Sequence, residues 1–239
     1  MQRLYLPEKL GEQIVIELPV HQAHYLLHVL RMKAGASLCV FNEKDGEWRA
    51  EVILFSKKKL GVKICEFLRV AEKGDNIAYC FAPLKQARLD YIVQKAVELG
   101  ASELIAVRTQ YTQIQHLKED RIRSNIIEAS EQCGIVFVPD YKGLYALKNF
   151  LEQWPATRPL FFCDEKEGGE FSLELLKEHN QEAIGVLIGP EGGFSAEERA
   201  LLKEKSFVIP ISLGKRILRA DTAGVVILSL VQAVRTIKN

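Results

Sequence analysis

The 239 residues suffice for one large domain or two modest ones, and 48% hydrophobic with 26% charged residues is the balance of a globular core and surface. No apolar run approaches the roughly 20 residues that cross a bilayer, and the first residues lack the apolar stretch of a signal peptide, so the expectation is a soluble cytoplasmic protein with no membrane partner. A net charge of +1 argues against a globally basic nucleic-acid binder, but residues 1–73 carry 12 Lys and Arg against 9 Asp and Glu, which favours a local basic patch in the first part.

Residues 13–18, 37–41, 47–55 and 60–67 have strand composition, and residues 42–46 look like the turn of a hairpin. One helix interrupts them, over residues 21–32. Several short strands with one helix suggest a small closed barrel. His21, His24 and His28 share one helical face. No carboxylate joins them at ligand spacing, so ordinary histidines are favoured over a metal site. Lys57, Lys58 and Lys59 can grip phosphate or can simply solvate a turn. Cys39, Cys65, Cys80, Cys133 and Cys163 are scattered and never form a C-x-x-C, which fits reduced thiols and neither a disulfide framework nor a zinc site.

Residues 71–76 read as a linker, dividing the chain into 1–72 and 73–239. Beyond it strands at 77–82, 104–107, 160–163, 184–188 and 207–213 alternate with helices at 86–99, 117–132, 173–179 and from about 221 to 237. That alternation predicts an α/β domain with a mostly parallel sheet. In the first half of the last helix, Ala223, Val225, Val226, Ile227 and Leu228 leave almost no polar face. A helix apolar all round must be covered all round, by its own core or by a second chain.

The densest chemistry lies in residues 184–223. Strand 184–188 runs into Gly189-Pro190-Glu191-Gly192-Gly193, and Ser195 with Glu198 has the spacing of a capping box. Strand 207–213 runs into a second loop holding Arg216, Arg219, Asp221 and Thr222. Loops at the carboxyl ends of parallel strands form the crevice where α/β proteins bind ligands. Gly189, Gly192 and Gly193 offer positive φ and a backbone without Cβ, against which a ligand can lie. Glu191 would repel a phosphate, and neither a P-loop nor a G-x-G-x-x-G is present, so pyrophosphate binding is disfavoured. The blander alternative is a tight turn followed by an Arg219–Asp221 pair, with Asp221 or Thr222 capping the last helix.

LIGPEGGFSAEE from Leu187, followed by LGKRILRADTA from Leu213, resembles the signature of the ribosomal RNA small subunit methyltransferase E family, knotted enzymes of the SPOUT superfamily. Gln94-Lys95 with Glu98-Leu99-Gly100, Glu131-Gln132-Cys133-Gly134 with Val138-Pro139, and Val29-Leu30-Arg31-Met32 resemble further family segments, in the family's order. The resemblance implies a PUA-like RNA-binding barrel over 1–72 and a SPOUT domain with a C-terminal trefoil knot over 73–239, homodimeric through that domain. It implies methyl transfer from S-adenosylmethionine, without a metal, to N3 of a uridine in 16S ribosomal RNA of the small subunit, near the decoding site.

Such a transfer is an in-line displacement that needs alignment above all. Uridine N3 must also lose a proton, which calls for a base or an anion-stabilising cation. On this reading Leu187, Ile188, Gly189, Glu191, Gly192, Gly193, Leu213, Gly214, Ile217, Leu218 and Arg219 bind the cofactor. Arg219 stabilises the uracil anion, with Glu191 and Asp221 to accept the proton or position Arg219. Arg31, Lys57, Lys58, Lys59 and Arg216 contact RNA. Two positions depart from the family pattern: Ile135 stands where an arginine is usual, and Asp221 where glutamate is common. Competing readings are a knotted ribose 2′-O-methyltransferase, separable by a nucleoside digest, and a non-catalytic RNA-binding or assembly protein. A nucleotide-dependent oxidoreductase is more distant, since no dinucleotide fingerprint exists.

Overall fold

Strands of the first part form where apolar residues alternate. β1 (Arg3–Tyr5), β2 (Val15–Glu17), β3 (Ser37–Asn42), β4 (Gly46–Leu54) and β5 (Leu60–Arg69) make one five-stranded sheet in the order β1-β3-β4-β5-β2. β4 pairs antiparallel with β3 and β5, while β1 lies parallel to β3. Leu38, Val40, Ala50, Val52, Val62 and Ile64 supply the core, with Leu26 from the helix. The turn expected at 42–46 is closed by Asn42, whose Oδ1 accepts from the N–H groups of Lys44 (3.0 Å) and Asp45 (2.7 Å).

This computed structural model describes residues 1–55, 59–164, 173–179 and 181–238, and it divides into two units: Met1–Lys73 with Ser130–Val138, and Gly74–Ala129 with Pro139–Asn239. In the first unit the expected helix is shorter and of two kinds. α1 (Val20–His24) widens into a π-helical turn, Tyr25–Val29. The turn ends at Arg31, with φ of 53°, and Met32 N–H returns to the Leu26 carbonyl at 2.9 Å. A left-handed residue with this closure is the common helix stop, usually built on glycine. The rings of His24 and His28 lie 4.7 Å apart, and among the described residues no group of three His, Cys, Asp or Glu is placed to hold a metal.

Ser130–Val138 joins the first unit through an ionic cluster built around the buried Glu47. Arg3 Nε and Arg69 Nε each donate to Glu47 at 2.6 Å. Arg3 also donates to the carbonyls of Ser130 and Ile135, both at 2.8 Å, and Tyr5 N–H donates to Glu131 Oε1 at 2.8 Å. Burial alone would raise the Glu47 carboxyl, but the hydrogen bonds from Arg69 and Arg3 outweigh it and hold Glu47 below the usual carboxylate range.

The second unit is a six-stranded, all-parallel sheet. β6 (Ile77–Phe81), β7 (Ala101–Arg108), β8 (Asp140–Ala146), β9 (Leu160–Cys163), β10 (Ile184–Ile188) and β11 (Val208–Ile211) lie in the order β11-β9-β10-β6-β7-β8. The helices are α2 (Gln86–Glu98), α3 (Glu119–Cys133), α4 (Leu147–Gln153), α5 (Leu173–His179), α6 (Ala196–Lys203) and α7 (Ala220–Lys238). Parallel strands covered on both faces read as unbroken apolar runs, and every residue of β6 and β10 is buried. β9 sits between the two loop-bearing strands β10 and β11. α7 buries Gly224, Ile227, Leu228, Val231 and Val234, whereas Val225, Val226 and Leu230 are only partly covered. Among the described residues no helix is long and apolar enough to cross a membrane.

Candidate functional site

A cavity of about 250 Å³ opens beyond the carboxyl ends of β9, β10 and β11. Its walls are Cys163 and Asp164, the loop after β10 and the loop after β11. Burial pushes the Cys163 thiol far up, which disfavours its thiolate.

In the glycine loop, Gly193 N–H bonds the Pro190 carbonyl at 2.9 Å, and Gly193 has φ of 67°. Gly189 and Gly192 do not have positive φ, contrary to the expectation for all three glycines. They are needed for close approach. A Cβ on Gly189 would stand 2.5 Å from the Phe194 ring, and one on Gly192 would stand 3.0 Å from Tyr111 Cβ. Phe194 is buried and packs edge-on against Phe162, with ring centroids 4.8 Å apart. The expected capping box is present: Glu198 N–H donates to Ser195 Oγ (3.2 Å) and Ser195 N–H to Glu198 Oε2 (3.0 Å). Arg199, in the next position, donates to both oxygens of the buried Asp164 and to the Phe194 carbonyl. That arginine ties the end of β9 to the glycine loop.

The second loop turns at Gly214, with φ of 108°. Leu213, Gly214, Arg216, Ile217, Leu218 and Arg219 all line the cavity, as do Ile188, Gly189, Glu191 and Gly193 across from them. Arg219 is exposed, and among the described residues no hydrogen bond or ion pair engages its guanidinium. Asp221 does not pair with it; its Oδ1 accepts from Thr222 N–H at 2.9 Å. Both candidate carboxylates instead face Arg88 of α2. Arg88 Nη1 lies 3.3 Å from Glu191 Oε1, and Nε lies 4.0 Å from Asp221 Oδ2.

Three expected site residues stand apart from the cavity walls. Leu187 is wholly buried in the core beneath the sheet, Gly192 faces Tyr111, and Asp221 sits with Arg88. In the first unit, Arg31 is exposed and Lys59 pairs with Glu17 at 2.9 Å. Lys57 and Lys58 lie outside the described residues. Sequence reading missed Arg88, Tyr111, Asp164 and Arg199. Arg199 had one local signal, a cation in the first turn of a helix that also carries Glu197 and Glu198. Arg88 had none, because its partners lie more than a hundred residues away.

Residues 71–232 match the family model of an RNA methyltransferase domain, and residues 18–65 that of an RNA methyltransferase PUA domain. The chain is 30% identical to a ribosomal RNA small subunit methyltransferase E of Rickettsia conorii, over 96% of this chain and 94% of that one. Its fold is similar to the enzyme of that name from Neisseria gonorrhoeae, solved bound to S-adenosyl methionine, with TM-score 0.87 and 25% identity, covering 98% of both chains. A methyltransferase from Legionella pneumophila, solved with bound SAM, gives TM-score 0.83 and 29% identity, covering 97% of this chain and 96% of that one.

Proposed function

The chain belongs to the ribosomal RNA small subunit methyltransferase E family, and on that premise we propose that it methylates N3 of one uridine in 16S ribosomal RNA, near the decoding site, with S-adenosylmethionine as donor. The observation that carries this reading is the Arg219 guanidinium, which has no partner among the described residues and stands at the wall of the cavity. The cavity suits the donor. Ile188, Ile217 and Leu218 supply apolar walls for an adenosine, and main chain is accessible at Gly189 and Gly214. The Glu191 carboxylate favours a cationic ligand over a phosphate.

When bound, S-adenosylmethionine supplies an electrophilic methyl group on a sulfonium. Arg219 donates to the uracil oxygen beside N3, where negative charge grows as the N3 proton leaves. Glu191, at the cavity wall, accepts that proton at a carboxylate oxygen, and Asp221, set back from the walls, acts through Arg88. Arg88 holds both carboxylates in place. Arg31, Arg216 and the Lys57–Lys59 run contact the RNA backbone, and no metal takes part.

The finer architecture belongs to the same proposal. Residues 1–72 form a PUA-like barrel, supported by five strands around one core. Residues 73–239 form a SPOUT domain with a C-terminal trefoil knot, supported by the return of β11 to the far side of β9. The partly covered Val225, Val226 and Leu230 on α7 support a homodimer, and the mass expected from light scattering is then twice the 27.0 kDa of one chain. An enzyme acting on ribosomal RNA works in the cytoplasm.

The test combines purified protein, labelled S-adenosylmethionine and small subunits from cells lacking this gene, followed by mass spectrometry of digested RNA. The expected product is 3-methyluridine. A 2′-O-methylated nucleoside would keep the family and overturn the chemistry. No transfer at all, with the donor unbound, would leave only an RNA-binding role.

A further inference from the structure

We propose that Tyr111 is the stacking surface for an unpaired base of the substrate RNA at the mouth of the cavity, an inference that rests on the RNA-methylating reading above. Tyr111 follows β7 at the carboxyl end of the sheet, and it is 46% exposed. Its backbone is nevertheless fixed on both sides. Thr109 N–H donates to Thr112 Oγ1 at 3.0 Å, the two threonine hydroxyls lie 3.0 Å apart, and both residues are buried. Between them, Gln110 N–H donates to Glu198 Oε1 at 2.7 Å. The capping glutamate of α6 therefore also anchors the Tyr111 turn.

This anchoring sets the aromatic residue against the glycine loop. The missing Cβ of Gly192 leaves room for Tyr111, whose Cβ would lie 3.0 Å from it, and the neighbours Glu191 and Gly193 both line the cavity. Among the described residues no other ring or cation packs on Tyr111. The anchored backbone presents a half-exposed ring beside the cavity, and a flat ligand that covers it removes apolar surface from water. A methyl acceptor on a base ring must leave its stack to be reached. An extruded or single-stranded base then needs a new partner, and an aromatic face is the usual one, tolerant of base identity.

The experiment uses the full chain with small subunits from cells lacking this gene, comparing Tyr111→Ala, Tyr111→Leu and Tyr111→Phe. Tyr111→Ala raises KM for subunits about ten-fold or more, while donor affinity by calorimetry stays at the wild-type value. The salt dependence of KM is unchanged, because no phosphate contact is lost. Tyr111→Leu keeps apolar bulk for folding but no flat face, and it shows the same rise. Tyr111→Phe restores the wild-type KM. A wild-type KM in Tyr111→Ala or Tyr111→Leu overturns stacking, as does a Tyr111→Phe variant as weak as Tyr111→Ala. Loss of donor binding in Tyr111→Ala assigns the residue to loop shape instead and also overturns the proposal. If wild-type protein itself methylates nothing, the underlying reading falls and this inference falls with it.

Discussion

Arg219 and Asp221 stand two positions apart, yet they do not pair; Asp221 faces Arg88, and among the described residues nothing engages the donors of Arg219. Arg219→Ala is therefore expected to lower kcat about 100-fold, the loss typical of one donor to a developing anion, with thermal stability unchanged. Wild-type turnover in a folded Arg219→Ala protein would end its catalytic assignment. Arg31 poses the opposite problem, since its backbone carries strain that its side chain must justify. Its φ of 53° is a glycine conformation. Arg31→Gly is expected to stabilise the first unit by about 1 kcal/mol in thermal melts while weakening RNA retention on filters. Equal RNA binding would remove Arg31 from the RNA contact. At this scale the sequence was informative where a site is contiguous: ten of the expected residues, from Ile188 to Arg219, do share one cavity. It was silent on Arg88 and Tyr111, because a contact made by distant segments leaves no local pattern.

Among the elements, those with a clear period were legible. The strand expected at 160–163 and the helix expected at 173–179 match β9 and α5 end to end. β8 and α4 were not foreseen. Lys142 and Gly143 interrupt the apolar alternation of β8, and α4 opens at Ala146 without any side-chain cap to signal its start. α7 also carries a close contact that its apolar first half did not announce. A Cβ on Gly224 would stand 2.4 Å from Tyr79 Oη and 2.9 Å from Ile92 Cδ1. Replacing a helical glycine by alanine ordinarily stabilises by about 0.5–1 kcal/mol. Here Gly224→Ala is expected to destabilise by about 1–3 kcal/mol through overpacking, read from urea midpoints; a gain in stability would mean that α2 and α7 can spread at no cost.

At the scale of the whole molecule, the buried Glu47 and its partners Arg3 and Arg69 hold Ser130–Val138 against the first unit. Glu47 titrates below its unfolded value, so its contribution is complete above about pH 4.3 and is lost as pH falls through the depressed value. Glu47→Gln is expected to cost about 3 kcal/mol at pH 7, and the gap from wild type in thermal melts narrows below pH 4. A gap that does not change with pH would contradict the pairing. The family segment Glu131-Gln132-Cys133-Gly134 was visible in the sequence, but its place in the first unit was not, since Arg3 and Glu47 reach it from far earlier in the chain.

The strand order β11-β9-β10 also governs the time at which the protein becomes competent. β11 can dock only after β9 exists, and the loop that follows β11 supplies half of the cavity wall. During synthesis β11 and the loop after it follow the other strands of the sheet, so a nascent chain passes through a stage with those strands made and the cavity wall incomplete. Ligand capture is accordingly a clock for the final folding event: in refolding experiments, donor binding lags the recovery of far-ultraviolet circular dichroism, and simultaneous recovery would show that the C-terminal wall docks with the sheet rather than after it.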